Sequence, residues 1–458
     1  MPLAGSAFVA LLALASPQAP SLVPGTMNER IPCRTDPTQT YTLYLPKAYS
    51  PDRRWPLLFV FDPRGRGTRA AEVFRDAAEE FGWIIVSSDN TRSDGEWDPN
   101  DRALRALWPD TLRIYPIDER RIYAAGFSGG VKVAWVLSSS GKLAGIIAAG
   151  SPAPRDPDAR PGSAAWFGSA GRFDFNFLDA REIDDRMARF GVVHRLEFFD
   201  GPHQWMTPEV ARLGVAWLEV LAMKDGTRPR DAALAGRLLA EDLKYVARLE
   251  ASGRIVDARR SLQTIVGTYA TLADASAAER RARELDQDAR LARARKDEQR
   301  KDERERSLTR SAAAALATIT GDEEPFARDL IEKARIPTIL RTARQPGYEG
   351  ESAQRALETI FVQASFYMPE ALEQQRRFSR AAVALEIASA IHPDRPFVWL
   401  NLAGARAMAG FKKPALEALE KAIELGFRDA DTLTRDERFV SLRTTPEYVR
   451  LMAALGGK

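Results

Sequence analysis

At 458 residues, with 45% hydrophobic and 28% charged residues, the chain is long enough for two domains and has an ordinary globular composition. A formal net charge of +3, from 66 basic and 63 acidic residues, is small for this length and argues against a nucleic-acid partner. One cysteine, Cys33, excludes an intramolecular disulfide and a cysteine zinc cluster, and three histidines, His194, His203 and His392, leave little for a histidine-rich metal site.

In chain order, Ala7 to Ala15 is a short apolar run closing in Ala13-Leu14-Ala15, a small-x-small cleavage pattern, before the proline-rich stretch Ser16 to Pro24. This reads as a secretory signal peptide, too short to span a bilayer, and predicts a secreted or periplasmic protein. A start at Met27 would make it cytoplasmic. No other segment is apolar enough to be transmembrane. Thr40 to Pro46 alternates and predicts an edge strand, whereas Trp55 to Phe61 is a continuous apolar run, as in strands buried on both faces. A loop, Asp62 to Gly67, leads to a predicted helix over Arg69 to Phe81. Trp83 to Ser88 is the next buried strand, and a helix follows through Leu107, Leu112 and Ile114.

The strand Ile122 to Ala125 then stops at Gly126-Phe127-Ser128-Gly129-Gly130, and Val131 to Leu137 resumes the apolar pattern as a helix. This is G-x-S-x-G on a strand-turn-helix. The turn strains the serine backbone, needs small neighbours, and leaves Ser128 at a helix N-terminus whose amides favour a developing oxyanion. A serine at neutral pH needs a base, and the base needs an orienting acid. Strands at Ala144 to Gly150, Ala164 to Gly168 and His194 to Phe199 complete an alternation of strands and helices that implies a mainly parallel α/β sheet.

His203 lies where the last strand breaks into a Gly-Pro loop, so it is the predicted base, while His194 reads as a strand-end residue. The acid belongs on the preceding strand's loop, which places Asp174 there. Asp184 and Asp185 compete for that role but fall in a polar helix and are expected to face water; Asp200 reads as a turn residue of the His203 loop. One oxyanion donor is predicted to be the amide of Gly129. The other comes from the Asp62 to Gly67 loop, where Pro63 has no N–H, leaving Arg64 or Gly65. Gly65-x-Gly67 without a following Gly-Lys-Ser/Thr is no phosphate loop.

From about Met223 glycines thin out and alanine, arginine and glutamate dominate. Ala240 to Ala270 predicts a helix pair, and Ala278 to Arg310, charged with both signs, predicts a solvated or partly disordered helix. Ala381, Leu385, Ala388 and Pro393 recur 34 residues later as Ala415, Leu419, Ala422 and Phe427, with Trp399, Leu402 and Ala403 opening the second unit. Those offsets resemble the tetratricopeptide repeat. Ala258, Leu262 and Ile265 fit a diverged earlier unit.

Tyr44-Leu45-Pro46, Asp118 to Arg121, Tyr123 to Gly130, Gly171-Arg172-Phe173-Asp174 and Asp200 to Trp205 together resemble an α/β-hydrolase of the polyhydroxybutyrate depolymerase and feruloyl-esterase type, over roughly residues 31–221. The resemblance implies hydrolysis of a small-molecule or polymeric ester through an acyl-enzyme, with Ser128, Asp174 and His203 as triad and neither cofactor nor metal. Asp62-Pro63-Arg64-Gly65 stands where relatives carry His-Gly. The expected division is a signal peptide and linker at 1–24, an α/β-hydrolase domain at 27–224, a helical linker with a charged helix at 228–312, and a tetratricopeptide-like domain at 313–458. A serine peptidase or amidase of the same fold is the rival enzyme. An inactive hydrolase fold that binds a protein partner through its helical repeats is the rival of another class.

Overall fold

The computed structural model describes residues 22–93, 96–152, 154, 156, 158–321 and 324–456. The predicted signal peptide, with its Ala13-Leu14-Ala15 pattern, lies outside the described residues. Eight strands are present among the described residues: β1 Met27–Pro32, β2 Thr40–Tyr44, β3 Trp55–Phe61, β4 Ile84–Ser88, β5 Ile117–Phe127, β6 Gly145–Ala149, β7 Ala165–Gly171 and β8 His194–Phe199. They form one sheet in the order β1-β2-β4-β3-β5-β6-β7-β8. β3 runs parallel to β4 and β5, and β7 parallel to β8, while β1, β2 and β4 pair antiparallel. The apolar runs account for this: every residue of β3, β4, β6 and β7 is buried, as a strand covered on both faces must be.

Two local expectations change. β2 is not an edge strand, because it pairs with both β1 and β4. The edge is β1, whose Met-Asn-Glu-Arg-Ile-Pro carries one buried residue, Ile31, and therefore shows no alternation to read. The helix expected over Arg69 to Phe81 is two short ones, Gly67–Glu72 and Arg75–Phe81, separated where Phe74 turns fully into the core.

The chain divides into two compact units. The first holds the described parts of Met1–Ala148 with Pro161–Ala165 and Thr207–Ala222; the second holds the described parts of Ala149–Arg160, Trp166–Met206 and Met223–Lys458. In the first, β3, β4 and β5 bury Leu57, Phe59, Ile85, Val86 and Ala124, and Trp83 stacks on Tyr123 with ring centroids 4.3 Å apart. Trp83 also donates to Glu219, which pairs with Arg121, so the indole N–H and the buried Glu219 carboxylate are both partnered.

In the second unit β8 is covered by the helices Ala232–Ala251 and Ile255–Tyr269. Its buried polar residues have partners: Arg195 pairs with Glu197 at 2.8 Å and with Asp242 at 2.9 Å, and the Tyr269 hydroxyl donates to Asp242 at 2.9 Å. Burial pushes the Glu197 carboxyl up, opposed by the adjacent Arg195. From Ala232 onward the described residues are helices and turns. The charged stretch forms the helices Ser276–Gln287 and Ala289–Ala317, and the second is not simply solvated. Asp302 and Glu305 are buried on it, taken by Arg181 at 3.1 Å and Arg355 at 2.6 Å. The repeat positions Ala381, Leu385, Ala388, Ala415, Leu419 and Ala422 are all fully buried, on the helices Phe378–Ile391 and Lys412–Glu424.

Candidate active site

The serine turn belongs to the first unit. β5 ends at Phe127, and the helix Gly130–Ser138 begins two residues after Ser128. Ser128 has φ +51°, a left-handed conformation unusual for a residue with a side chain and sustained only when the surroundings impose it. The glycines show what imposes it. A Cβ on Gly130 would lie 2.0 Å from the Phe61 carbonyl oxygen, and one on Gly129 would lie 2.0 Å from the Ser93 Cβ. The turn is thus pressed against the C-terminal end of β3 and the loop after β4. The register puts Phe61 opposite Gly126, so the Asp62 loop and the serine turn leave adjacent parallel strands at the same level. That is where open α/β sheets carry their ligand sites.

The Asp62 loop is tightly braced. The buried Asp62 carboxylate accepts from the Arg64 amide at 2.9 Å and from the Arg66 guanidinium at 2.9 and 3.0 Å. The Gly65 amide donates to the Asp62 carbonyl at 3.2 Å. Both expected oxyanion donors from this loop, Arg64 and Gly65, are therefore engaged inside their own turn.

Asp174 and His203, the expected acid and base, belong to the second unit. Gly171, the last residue of β7, lies opposite Phe199, the last of β8, so the two loops again start level. They are laced together by the Arg172 amide donating to Phe199 O at 2.9 Å and the Phe173 amide to Gly201 O at 3.0 Å. His203 Nδ1 lies 2.8 Å from Asp174 Oδ1, with Asp174 fully buried and the imidazole 21% exposed. A carboxylate at Nδ1 favours the tautomer that carries its proton there, which puts the acceptor lone pair on Nε2. The Phe175 ring packs on the imidazole, centroids 4.2 Å apart. Asp174 Oδ1 also accepts the Asn176 amide at 2.8 Å, and the Asn176 side chain donates to Gly150 O at 2.8 Å. Gly150, at φ +52°, sits against the pair: a Cβ there would be 2.6 Å from Asp174 Oδ2 and 3.1 Å from His203 Nδ1.

Asn176 and Gly150 are the supporting residues that motif reading passed over. Asp174-x-Asn176 just before the helix Phe177–Arg189 is the one available signal, because an Asp side chain accepting an amide two residues on is a common turn. The other acids have other tasks. Asp184, expected to face water, is buried, with His194 Nε2 at 3.6 Å and Arg260 at 3.5 Å, because helices from later in the chain cover its face. Burial raises its carboxyl pKa, while Arg260 and His194 oppose the shift. Asp200 is 87% exposed and 3.8 Å from Arg172. His392 pairs with Glu358 at 2.7 Å. Among the described residues, no three His, Cys, Asp or Glu side chains converge as a metal ion would require, and no helix is long and apolar enough to cross a membrane.

The eight-stranded, mainly parallel sheet with flanking helices is that of the α/β-hydrolase fold, followed by an all-helical half. No family model matches the chain, and no curated protein matches it. Among solved structures it is similar to a substrate-bound fluorophosphonate-binding serine hydrolase of Staphylococcus aureus, at 14% identity and TM-score 0.34 over 39% of this chain and 92% of that one. It is similar to S-formylglutathione hydrolase from Staphylococcus aureus, at 14% identity and TM-score 0.35 over 43% of this chain and 98% of that one. A ferulic acid esterase is similar at 19% identity and TM-score 0.31, over 38% and 92% respectively. Likeness at this level does not reach substrate or mechanism.

Proposed function

We propose that the protein is a serine hydrolase that cleaves carboxylic esters through an acyl-enzyme, with Ser128 as nucleophile, His203 as general base and Asp174 as the acid that orients it. The observation that carries the reading is the left-handed Ser128, held between glycines at the start of a helix and supported by a separate, fully oriented His–Asp pair. In this reading Ser128 Oγ bonds to the ester carbonyl carbon as its proton passes to His203 Nε2. The carbonyl electrons move onto oxygen, where the Gly129 amide and the Asp62 loop stabilise the charge. Collapse breaks the bond to the alcohol oxygen, which leaves with the proton held on His203. Water then repeats the sequence and frees the acid and the serine. Of the two loop candidates, the Gly65 amide has the longer present bond, 3.2 against 2.9 Å, and gives up less in turning toward an oxyanion.

The buried alanines 34 residues apart support a tetratricopeptide-like reading of the C-terminal helices, a type of surface that holds peptides or partner helices. Export rests on the apolar run at Ala7 to Ala15. The deciding experiment is labelling by a fluorophosphonate probe. Wild type is expected to label, Ser128→Ala and His203→Ala to lose the label, and Asp174→Asn to fall in ester turnover by about 10³–10⁴-fold. A folded wild type that stays unlabelled removes the hydrolase assignment.

A further inference from the structure

Arg355, on the helix Tyr348–Val362, lies far from the serine turn in sequence, is fully buried, and makes a three-way contact. Its Nε and Nη2 grip Glu305 of the helix Ala289–Ala317 at 3.0 and 2.6 Å, a bidentate pair that satisfies both charges. The remaining nitrogen, Nη1, donates to the carbonyl oxygen of Arg172 at 2.7 Å. The guanidinium also lies 4.2 Å from the centroid of the Phe177 ring. Arg172 is two residues before Asp174 and Phe177 three after it, so one side chain holds both ends of the turn that carries the acid. A second link runs alongside: the Arg172 side chain pairs with Glu351 at 2.8 Å, one helical turn before Arg355, and reaches toward Asp200 on the loop that leads to His203.

Ordinary packing does not require this arrangement. A buried Arg–Glu pair is complete with its two mutual hydrogen bonds, and hydrophobic residues of similar volume would stabilise the same helix contact equally well. What an arginine adds, and what Lys or Met could not, is the third donor in a rigid plane, aimed at a specific backbone carbonyl. That carbonyl belongs to the peptide unit whose N–H, on Phe173, donates to Gly201 O in the His203 loop. Fixing this one peptide plane therefore fixes the acid turn and its lacing to the base loop together.

We propose that Arg355, seated on Glu305, is a positioning residue for the Asp174–His203 pair, supplied by the helical half of the chain. The proposal rests on the hydrolase reading above. Arg355 touches neither substrate nor the reacting atoms; it acts by setting the direction from which Asp174 holds the imidazole. Loss of that direction weakens the stabilisation of the imidazolium, so the pH at which the base becomes active moves down while substrate affinity stays.

The test uses the full-length chain, with a fluorophosphonate probe and p-nitrophenyl butyrate as reporters. The double variant Glu305→Leu/Arg355→Met removes the ion pair without stranding a charge; Arg355→Lys keeps a cation beside Glu305 and is the companion for which a stranded carboxylate cannot arise. Both are expected to lose about 10- to 100-fold in kcat and in labelling rate, with KM within twofold of wild type and the acid limb of the pH profile shifted downward. Leu402→Ala, a cavity in a fully buried position on the helix Pro396–Met408, is the matched control. It is expected to lower the melting temperature and leave the pH midpoint in place. Folded variants that label at the wild-type rate with an unmoved midpoint overturn the positioning role. Wild type tested beside Ser128→Ala separates the two readings: if wild type fails to label, the hydrolase reading falls and takes this one with it.

Discussion

At the scale of single residues, Gly150 shows how narrowly the acid–base pair is held. Two demands meet there: a left-handed backbone, at φ +52°, and an absent side chain, because the acid's Oδ2 and the imidazole occupy the space. Gly141 separates them, since it has φ +70° and nothing within 4 Å of the point a methyl group would occupy. Gly141→Ala is therefore expected to cost about 1–2 kcal/mol, the left-handed penalty alone, with labelling by the fluorophosphonate unchanged. Gly150→Ala carries that penalty and displaces the pair, and labelling is expected to fall by at least about 100-fold. Equal labelling in the two variants would show that the pair tolerates displacement. Ser128, Asp174 and His203 were legible as candidates because a nucleophile, an acid and a base would each need a particular side chain at a strand end. Gly150 and Asn176 were not, because they serve through a φ angle and a bond to a backbone carbonyl, and neither leaves a spacing in the sequence.

At the scale of elements, apolar runs identified β3 and β4 because both faces of each strand are buried, so their hydrophobicity is uninterrupted. β1 escaped notice because it is held by backbone pairing to β2 and contributes little to the core. The charged helix Ala289–Ala317 misled for a different reason. Sequence pattern treats charge as a mark of solvent, and here Asp302 and Glu305 are buried against arginines at 181 and 355, whose partnership no local window contains. The alanine positions of the C-terminal helices are informative in the opposite sense, since small residues 34 apart are what close helix packing requires. Ala388→Leu and Ala422→Leu, both at fully buried positions, are each expected to destabilise the protein by about 1–3 kcal/mol through overpacking, measured by thermal or urea unfolding. Unchanged stability in both would mean that the repeat positions are loosely packed.

For the chain as a whole, the change in composition near Met223 is visible in the sequence, but the way the path alternates between units is not. The path passes from one unit to the other at 148/149, 160/161, 165/166, 206/207 and 222/223. The second unit thus joins β8 and most of β7 to helices that begin after them. A chain ending at 224 would keep Arg181, Asp184 and Arg195 and lose Glu298, Asp302, Arg260 and Asp242, their partners across that unit. Each broken buried pair costs about 3–5 kcal/mol, so that two of them together are comparable to the whole stability of a typical domain, about 5–15 kcal/mol. Residues 22–224 expressed alone are expected to be insoluble or to lack a cooperative melting transition. A soluble fragment with a sharp transition would show that the sheet is independent of the later helices.

The contact between Arg355 and the Arg172 carbonyl spans 183 residues of sequence, which gives it a consequence in time. A ribosome adding about 5–20 residues per second needs roughly 10–40 s to travel that distance. The serine turn and the strands beneath it emerge well before the side chain that clamps the acid turn. On the proposed roles, a nascent chain therefore presents Ser128 and the Asp174 turn well before Arg355 is available to fix that turn.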